Sequence, residues 1–476
     1  MSHKADKKDT HNEVQSQHET VQITAISDKD SDYQRTTHPD AQWYSDASLG
    51  MFFHWGISSV SGQGDLSWGM MQNNSDYNPQ AAADAHGIYA VQCTSSPAKY
   101  WKQAEQFLCE KYDPDKWLSA AKDAGVEYVV LTTKHHDGFC LWPSDYAELS
   151  TKNFLGGRDL VGEFVESCRK YDIKIGFYYS PPDFHYFRNQ MTFRRGKGLP
   201  HLDVNLDPFE VDEKDTLRLA EFKEDSAGSP IISIPQGKEQ ELMDGYRELC
   251  NGQVRELLTR YGKIDIIWFD GRMPKGAMTM DDIREIQPNI LINPRGYGVG
   301  DFNTPECKFP EERFDPGWWE LCYVFSDGAW GYLDHETYKP VGWLLAEWAK
   351  VRAWDGKFLP NVAPDSHGEM PPAFYKRMEQ LKEWRAHSGR SMVGTTGSKW
   401  PEESNVPLTH KDGKTYAHLD WMFVDEVKIK CLSEQPKSVK LLRTGEDIPF
   451  QFVDGELTFI LHQDMRTNKL DVVVIH

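Results

Sequence analysis

Two adjacent histidines, His135 and His136, are followed directly by an aspartate in the segment KHHDGFCLW (134–142). Such side chains can bind a metal ion, act as bases, or hydrogen-bond to hydroxyl groups. Consecutive residues of a strand point to opposite faces, so a shared metal is disfavoured, and no further ligands can be placed. Trp142 lies nearby, and a flat apolar ring can cover the C–H groups of a sugar. This motif alone leaves a carbohydrate site and ordinary buried histidines equally open.

A second candidate is Asp270, which ends the apolar segment KIDIIWFDG (263–271). A carboxylate at a strand end is well placed to attack a sugar carbon or to stabilise an oxocarbenium-like centre. It could equally be a helix cap or part of a loop salt bridge. A glycosidase also needs a second carboxyl group as general acid/base, and the acidic segment 300–323 offers several. These candidates are Asp301, Glu306, Glu311, Glu312 and Glu320.

The third signal is the supply of aromatic side chains, which includes 16 tryptophans. Most buried tryptophans are simply core residues. A cluster at one end of a barrel would instead be typical of a carbohydrate site. The tryptophans near predicted strand ends are Trp55, Trp68, Trp142, Trp268 and Trp330.

Apolar segments with polar ends alternate with amphipathic helical patterns from about Trp43 to about residue 390. Repeated strand–helix units of this kind indicate parallel strands. A (β/α)8 barrel is favoured over a doubly wound sheet, because nearly every predicted strand ends in polar residues and barrel enzymes build their sites there. We therefore predict an α/β fold with a TIM-like barrel. Its strands are expected within 49–56, 126–138, 172–180, 263–271, 289–296, 322–332 and 358–366.

Several helices of the barrel also carry signals. DPDKWLSAAKDAG has Asp113 as N-cap, Pro114 at the first helical position and Gly125 as stop signal. Further helices are expected within 158–171, 341–354 and 371–389. A long insertion from about Pro181 to Gly237, rich in charge, proline and aromatics, follows a barrel strand. From that position it would shape the binding pocket.

The helical periodicity stops after about Ser391, where short strands separated by turn residues begin. This pattern predicts a small antiparallel β-sandwich. The expected domains are a disordered polar lead-in over residues 1–40, the catalytic barrel over 41–390 and the sandwich over 391–476.

The composition of the chain argues against two classes of binding partner. A formal net charge of −20 makes nucleic acid and anionic membranes poor partners. No apolar stretch approaches the ~20 residues of a membrane span, and the N-terminal segment has no apolar signal-peptide region. Taken literally, the sequence predicts a cytoplasmic protein; removal of a native signal would make it periplasmic or secreted. Eight scattered cysteines without a CxxC pair argue against a zinc ribbon.

Together these segments resemble the α-L-fucosidases of glycoside hydrolase family 29. The matching stretches follow the family order between about residues 43 and 390, and KHHDGFCLWPS followed by WFDG is highly specific. GDFNTPE is more similar to the branch that acts on α-1,3/1,4-linked fucose. The other stretches include WYSDASLGMFFHWGISSVSG, GFYYSPPD, WELC, WGY and LPNVAPDSHGEMPP.

The resemblance implies a retaining exo-glycosidase without metal or cofactor, acting on an oligo- or polysaccharide with a terminal α-L-fucosyl-type sugar. It implies Asp270 as nucleophile and Glu306 as acid/base, with Glu320 as the second choice. The sugar-contact positions of the family correspond here to His54, Ser67, Trp68, His135, His136, Tyr178, Arg295 and Trp330.

One position departs from the family pattern: Ser67 stands where family members usually carry a glutamate that contacts sugar hydroxyls. Losing a carboxylate acceptor changes hydroxyl recognition. The bound sugar could therefore be α-L-galactose, which differs from fucose by a C6 hydroxyl, as in an algal galactan. Two further functions compete with these glycosidases. One is a non-catalytic carbohydrate-binding relative, and the other is a barrel metallohydrolase that uses His135 and His136.

Overall fold

The computed structural model describes residues 35–64, 66–70, 72–73, 95, 97–189, 194–195, 237–314, 317–326, 328–423, 425–430 and 432–476. Most of the predicted insertion between Pro181 and Gly237 lies outside these ranges, as do residues 1–34 of the predicted lead-in. The last residues of that lead-in contact the barrel: the Thr36 amide donates to Asp301 (2.6 Å) and Arg35 lies over the Trp318 ring.

Eight parallel strands form the central sheet, and each hydrogen-bonds to the strands next to it in chain order, except at one seam. The first strand pairs with the last, so the sheet curves into a nearly closed barrel whose strands pair everywhere except at this seam. The predicted fold class is confirmed. The strands are β1 Gly50–Phe53, β2 Tyr128–Lys134, β3 Lys174–Tyr179, β4 Ile266–Phe269, β5 Leu291–Ile292, β6 Phe302–Asn303, β7 Trp318–Val324 and β8 Lys357–Val362.

The seam lies between β5 and β6, and Asp301 bridges it. Its backbone amide donates to the Ile292 carbonyl (2.7 Å), and its carboxylate accepts from the Ile292 amide (2.8 Å). Arg284 neutralises the buried carboxylate at 2.9 Å. Asp301 is therefore a structural residue, which removes it from the acid/base candidates.

Helices surround the barrel, and the predicted helices are found. α3 begins at Pro114, and the left-handed Gly125 (φ 89°) ends it as its N–H bonds back to the last turn. The helices are α1 Trp43–Asp46, α2 Pro97–Lys102, α3 Pro114–Ala124, α4 Thr151–Phe154, α5 Leu160–Lys170, α6 Glu239–Arg260, α7 Met280–Ile286, α8 Val341–Ala353 and α9 Pro372–Ser388. Short 3-10 turns cover Pro39–Ala41, Ile57–Val60, Leu66–Met70, Gln103–Glu105, Gly389–Ser391 and Gln463–Met465.

Two strands differ from the prediction. β6 was not predicted, because two residues are too few to show a periodicity. β7 begins at Trp318, four residues before the predicted segment 322–332. The earlier start places Glu320 inside a fully buried part of the strand rather than in a loop.

The C-terminal region forms two antiparallel sheets around their own apolar core, as predicted for a sandwich. The strands are β9 Leu408–Lys411, β10 Lys414–Leu419, β11 Val427–Ile429, β12 Val439–Leu441, β13 Phe450–Val453, β14 Glu456–Phe459 and β15 Asp471–Ile475. One sheet has the order β9-β10-β15-β12 and the other β11-β14-β13.

Within the described residues, no helix has the length and hydropathy to cross a membrane.

Candidate active site

A cavity opens at the carboxyl ends of the barrel strands, and its empty volume of about 330 Å³ includes space that is open to solvent. Strands β1 to β7, or the loops that follow them, all contribute to it, as expected for a barrel enzyme. Eight of the residues implied by the family resemblance line the cavity: His54, Trp68, His135, Tyr178, Asp270, Arg295, Glu306 and Trp330.

Asp270 follows β4, and both of its carboxylate oxygens are held. Tyr178 donates its hydroxyl to Oδ2 at 2.7 Å, and Arg295 binds Oδ1 at 2.9 Å. Nε2 of His136 lies 3.4 Å from Oδ2. Burial opposes ionisation, but the hydrogen bond from His136 and the charge of Arg295 outweigh it and hold the pKa of Asp270 well below its usual range. Asp270 is therefore an ionised, oriented carboxylate with its side chain 15% exposed to the cavity.

Arg295 connects the two predicted catalytic carboxyls. Its second terminal nitrogen binds Glu306 Oε2 at 2.8 Å, while Thr304 accepts from the same guanidinium. The guanidinium also stacks on the Trp268 ring, 4.4 Å from the ring centroid. One rigid fork thus holds both carboxyls, which favours the short separation of about 5–5.5 Å that retaining glycosidases use.

Ser67 does not line the cavity; it is completely buried behind His135. Its hydroxyl lies 2.5 Å from Nδ1 of His135 and accepts from the Asp137 amide at 2.7 Å. Asp137 is also bound by Tyr100. Ser67 is therefore placed to orient an imidazole rather than to touch a sugar, which differs from its expected role as a contact residue.

His136 also lies one layer back, with 1% of its surface exposed. Its Nδ1 hydrogen-bonds to the Ser180 hydroxyl, which itself donates to the Pro182 carbonyl at 2.8 Å. Its Nε2 lies 3.4 Å from Oδ2 of Asp270, so both ring nitrogens face groups of the protein. The imidazole thus acts on the cavity through Asp270.

Glu320 lies beneath the cavity, inside the barrel, with none of its surface exposed. The hydroxyl groups of Tyr44 and Tyr128 donate to it, and so does Trp268 Nε1 at 3.1 Å. Burial raises its pKa to about 7, and these three donors oppose the rise. A carboxyl without access to the cavity is poorly placed as acid/base, so the geometry favours Glu306 over this second choice.

The raised pKa of Glu320 gives a test of its structural role. The folded protein binds this proton more tightly than the unfolded chain, so stability falls as pH rises from about 4.5 to about 7, by up to about 3 kcal/mol. In Glu320→Gln that part of the pH dependence should disappear. Urea unfolding at pH 5 and pH 7 measures it, and an unchanged pH dependence in the variant would contradict the assignment. The buried Lys357, with a pKa near 7, acts above this window.

Three residues of the cavity wall were not singled out from the sequence: Phe52, Leu66 and Cys322. Trp268 also lines the cavity and was one of the tryptophans noted near predicted strand ends. Strand alternation was an available signal for both Phe52 and Trp268. Phe52 precedes His54 by two residues, and Trp268 precedes Asp270 by two, so each pair shares a face. Trp142, suggested as a sugar-stacking residue, is fully buried and donates to Glu256 at 2.8 Å. That suggestion was wrong, because Trp142 lies outside the cavity lining and its indole N–H is bound within the protein.

Nitrogen and oxygen atoms of His135, His136 and Asp270 lie within 4.8 Å of one another, the spacing of a possible metal group among the described residues. The two histidines come together because β2 ends at Lys134, so strand alternation does not apply to them. Both oxygens of Asp270 and both ring nitrogens of His136 already face partners in the protein, and Arg295 places a positive charge on the same carboxylate. This chemistry does not suit a cation.

A parallel barrel whose strand ends join two carboxyls, a bridging arginine, imidazoles and aromatic rings has the architecture of a glycoside hydrolase. The sequence profile described as α-L-fucosidase matches residues 14–390. The chain belongs to the α-L-fucosidase family.

Individual relatives agree with this assignment. Tissue α-L-fucosidase of Rattus norvegicus is 25% identical over 408 residues, covering 81% of this chain and 77% of the rat protein. Among solved structures, α-L-fucosidase isoenzyme 1 of Paenibacillus thiaminolyticus has a TM-score of 0.67 at 26% identity, covering 92% of this chain and 98% of that one. A covalent intermediate of a Bacteroides thetaiotaomicron α-L-fucosidase shares the fold, with a TM-score of 0.68 at 20% identity, covering 94% and 98%.

Family membership confirms the prediction of a retaining glycoside hydrolase that acts on glycans containing fucose. No comparison favours an α-L-galactosidase, a binding-only protein or a metallohydrolase. The α-1,3/1,4 branch and the residue roles stay predictions.

Proposed function

We propose that the enzyme removes a terminal α-L-fucosyl residue by double displacement, with Asp270 as nucleophile and Glu306 as acid/base. The observation that carries this proposal is the pair of carboxyls held by one guanidinium at the wall of an aromatic-lined cavity.

In the first step, a carboxylate oxygen of Asp270 bonds to the anomeric carbon as the glycosidic C–O bond breaks. Glu306 transfers its proton to the departing oxygen. In the second step, Glu306 takes a proton from water, the water oxygen bonds to the anomeric carbon, and Asp270 leaves. Two inversions give net retention at the anomeric carbon.

The surroundings of Asp270 suit this role. Its low pKa keeps it ionised, as a nucleophile requires, and Tyr178 and Arg295 fix its orientation before substrate arrives. A carboxylate paired with arginine has no proton to donate. For the first step, Glu306 must therefore take up a proton from solvent and exchange its bond with Arg295 for one with the glycosidic oxygen.

The substrate at the cleaved position is tested by hydrolysis of aryl α-L-fucoside and aryl α-L-galactoside side by side. We expect a strong preference for the fucoside, because Ser67 hydrogen-bonds within the protein and frees no polar group for an extra C6 hydroxyl. Turnover of the galactoside alone would overturn the fucose assignment. Turnover of neither, together with sugar binding, would support a binding-only protein.

A further inference from the structure

Asn361 lies behind the cavity wall, on β8, and is 1% exposed. It is not part of the cavity lining, and the family resemblance gives it no role. Its side chain nevertheless contacts two residues that do line the cavity, His54 and Trp330.

The two hydrogen bonds of Asn361 determine which of its side-chain atoms is the amide nitrogen and which is the oxygen. The carbonyl oxygen of Trp330 can only accept, so the atom that faces it at 2.7 Å must be the amide nitrogen of Asn361. The other atom, Oδ1, lies 2.6 Å from Nδ1 of His54 and can only accept. Nδ1 of His54 therefore carries a hydrogen.

His54 is also neutral. Burial is the main influence on this imidazole and lowers its pKa to about 4, although the bond to Asn361 acts in the opposite direction. With Nδ1 protonated and the ring uncharged, Nε2 holds a lone pair and no hydrogen. Nδ1 is turned to the buried amide, so Nε2 is the polar atom that His54 offers to the cavity.

We propose that Asn361 is a specificity-determining positioning residue, which locks His54 in the Nδ1–H tautomer so that Nε2 accepts a hydrogen bond from a sugar hydroxyl. The same amide anchors the backbone of Trp330, whose ring centroid lies 5.1 Å from that of His54. Asn361 thus determines that His54 presents a hydrogen-bond acceptor to the cavity, and it also fixes the position of Trp330 in the cavity wall. The inference rests on the proposed function, because it takes the bound molecule to be a fucosyl sugar.

It matters that His54 is an acceptor, because two donors at the cavity wall, Tyr178 and Arg295, are already hydrogen-bonded within the protein. Tyr178 and Arg295 direct their hydrogens at Asp270 and Glu306. An acceptor at His54 requires a hydroxyl hydrogen at the facing ring position. A fluorine there can accept but not donate, so it would meet the Nε2 lone pair and leave it unsatisfied.

The test is the binding of L-fucose and its 2-, 3- and 4-deoxyfluoro analogues, measured as Kd by titration calorimetry. For the wild type we expect one fluorinated position to weaken binding by at least about tenfold. In Asn361→Ala the imidazole is free to change tautomer, and the ratio of fluoro to hydroxyl Kd at that position should fall to within about threefold. The matched control is Asn289→Ala, which removes a buried asparagine that donates to the Ile264 carbonyl before β4. It should keep the wild-type ratio.

A second measurement is made on the wild type and uses a variant only to assign the signals. Nitrogen NMR of ¹⁵N-histidine-labelled wild type, assigned with His54→Gln, reads directly which ring nitrogen of His54 bears hydrogen. We expect Nδ1 protonated and Nε2 bare. A protonated Nε2, equal binding of all analogues to the wild type, or an equal fall of the ratio in Asn289→Ala would overturn the proposal. A wild type that does not bind fucose would overturn the proposed function and the specificity role, while the spectrum still decides the tautomer.

Discussion

Replacing Asp270 with alanine is expected to lower kcat for an aryl α-L-fucoside by about 10⁴- to 10⁶-fold. The variant lacks the oxygen that forms the bond to the anomeric carbon, and neither Tyr178 nor Arg295 can substitute for it. Steady-state kinetics with the purified variant measures the loss. Added azide should restore part of the rate, because a small anion can occupy the space of the missing carboxylate. The product should then be the β-L-fucosyl azide, formed with a single inversion.

The matched control for this experiment lies on the same segment of chain. Asp265 is a buried carboxylate just before β4, and it accepts from the Ile175 amide at 2.9 Å. It therefore lies at the amino-terminal end of the strand, whereas the cavity lies at the carboxyl end. Asp265→Asn should lower stability while kcat stays within a few-fold of wild type. Comparable losses in both variants, or no rescue product with azide, would contradict the nucleophile assignment.

The second large effect is expected for Glu306→Ala, and it should depend on the leaving group. An activated aryl fucoside needs little proton assistance, so its bond cleavage should be nearly unaffected. A disaccharide with a sugar leaving group should lose about 10²- to 10⁴-fold in kcat/KM. The comparison of the two substrates in one variant measures acid catalysis separately from any effect of misfolding.

Two other glutamates serve as comparisons for Glu306. Glu320→Gln alters the carboxyl beneath the cavity, and Glu311→Gln alters a side chain that is 80% exposed and pairs with Lys308. In neither variant should the loss of kcat/KM differ between the aryl fucoside and the disaccharide. If that dependence followed Glu320 instead, the acid/base assignment would pass to the second choice.

The barrel, the sandwich and the chemical character of the site could be predicted from the amino-acid sequence alone. Alternating strand and helix patterns are local, and polar residues at strand ends follow from the way a barrel presents its upper edge. Asp270 and the histidines of KHHDG could be singled out for that reason. The family resemblance selected Glu306 from the five acidic candidates and added Arg295, whose importance no local pattern shows.

Which side chains face the cavity and which lie behind it depends on contacts between distant parts of the chain, and these could not be predicted from the sequence. β7 begins four residues earlier than the predicted segment. Glu320 therefore lies in a buried part of the strand, inside the barrel, and not in a loop. Ser67 and Trp142 are both buried by contacts with residues distant in the chain.

The hydrogen-bond roles at the site depend on tertiary structure most strongly. His54 and Asn361 are separated by 307 positions, and their side chains meet because β1 and β8 are neighbours across the closure of the barrel. The sequence names an imidazole at position 54. The partner that fixes its tautomer, and therefore whether it donates or accepts, follows from strand pairing that no local pattern encodes.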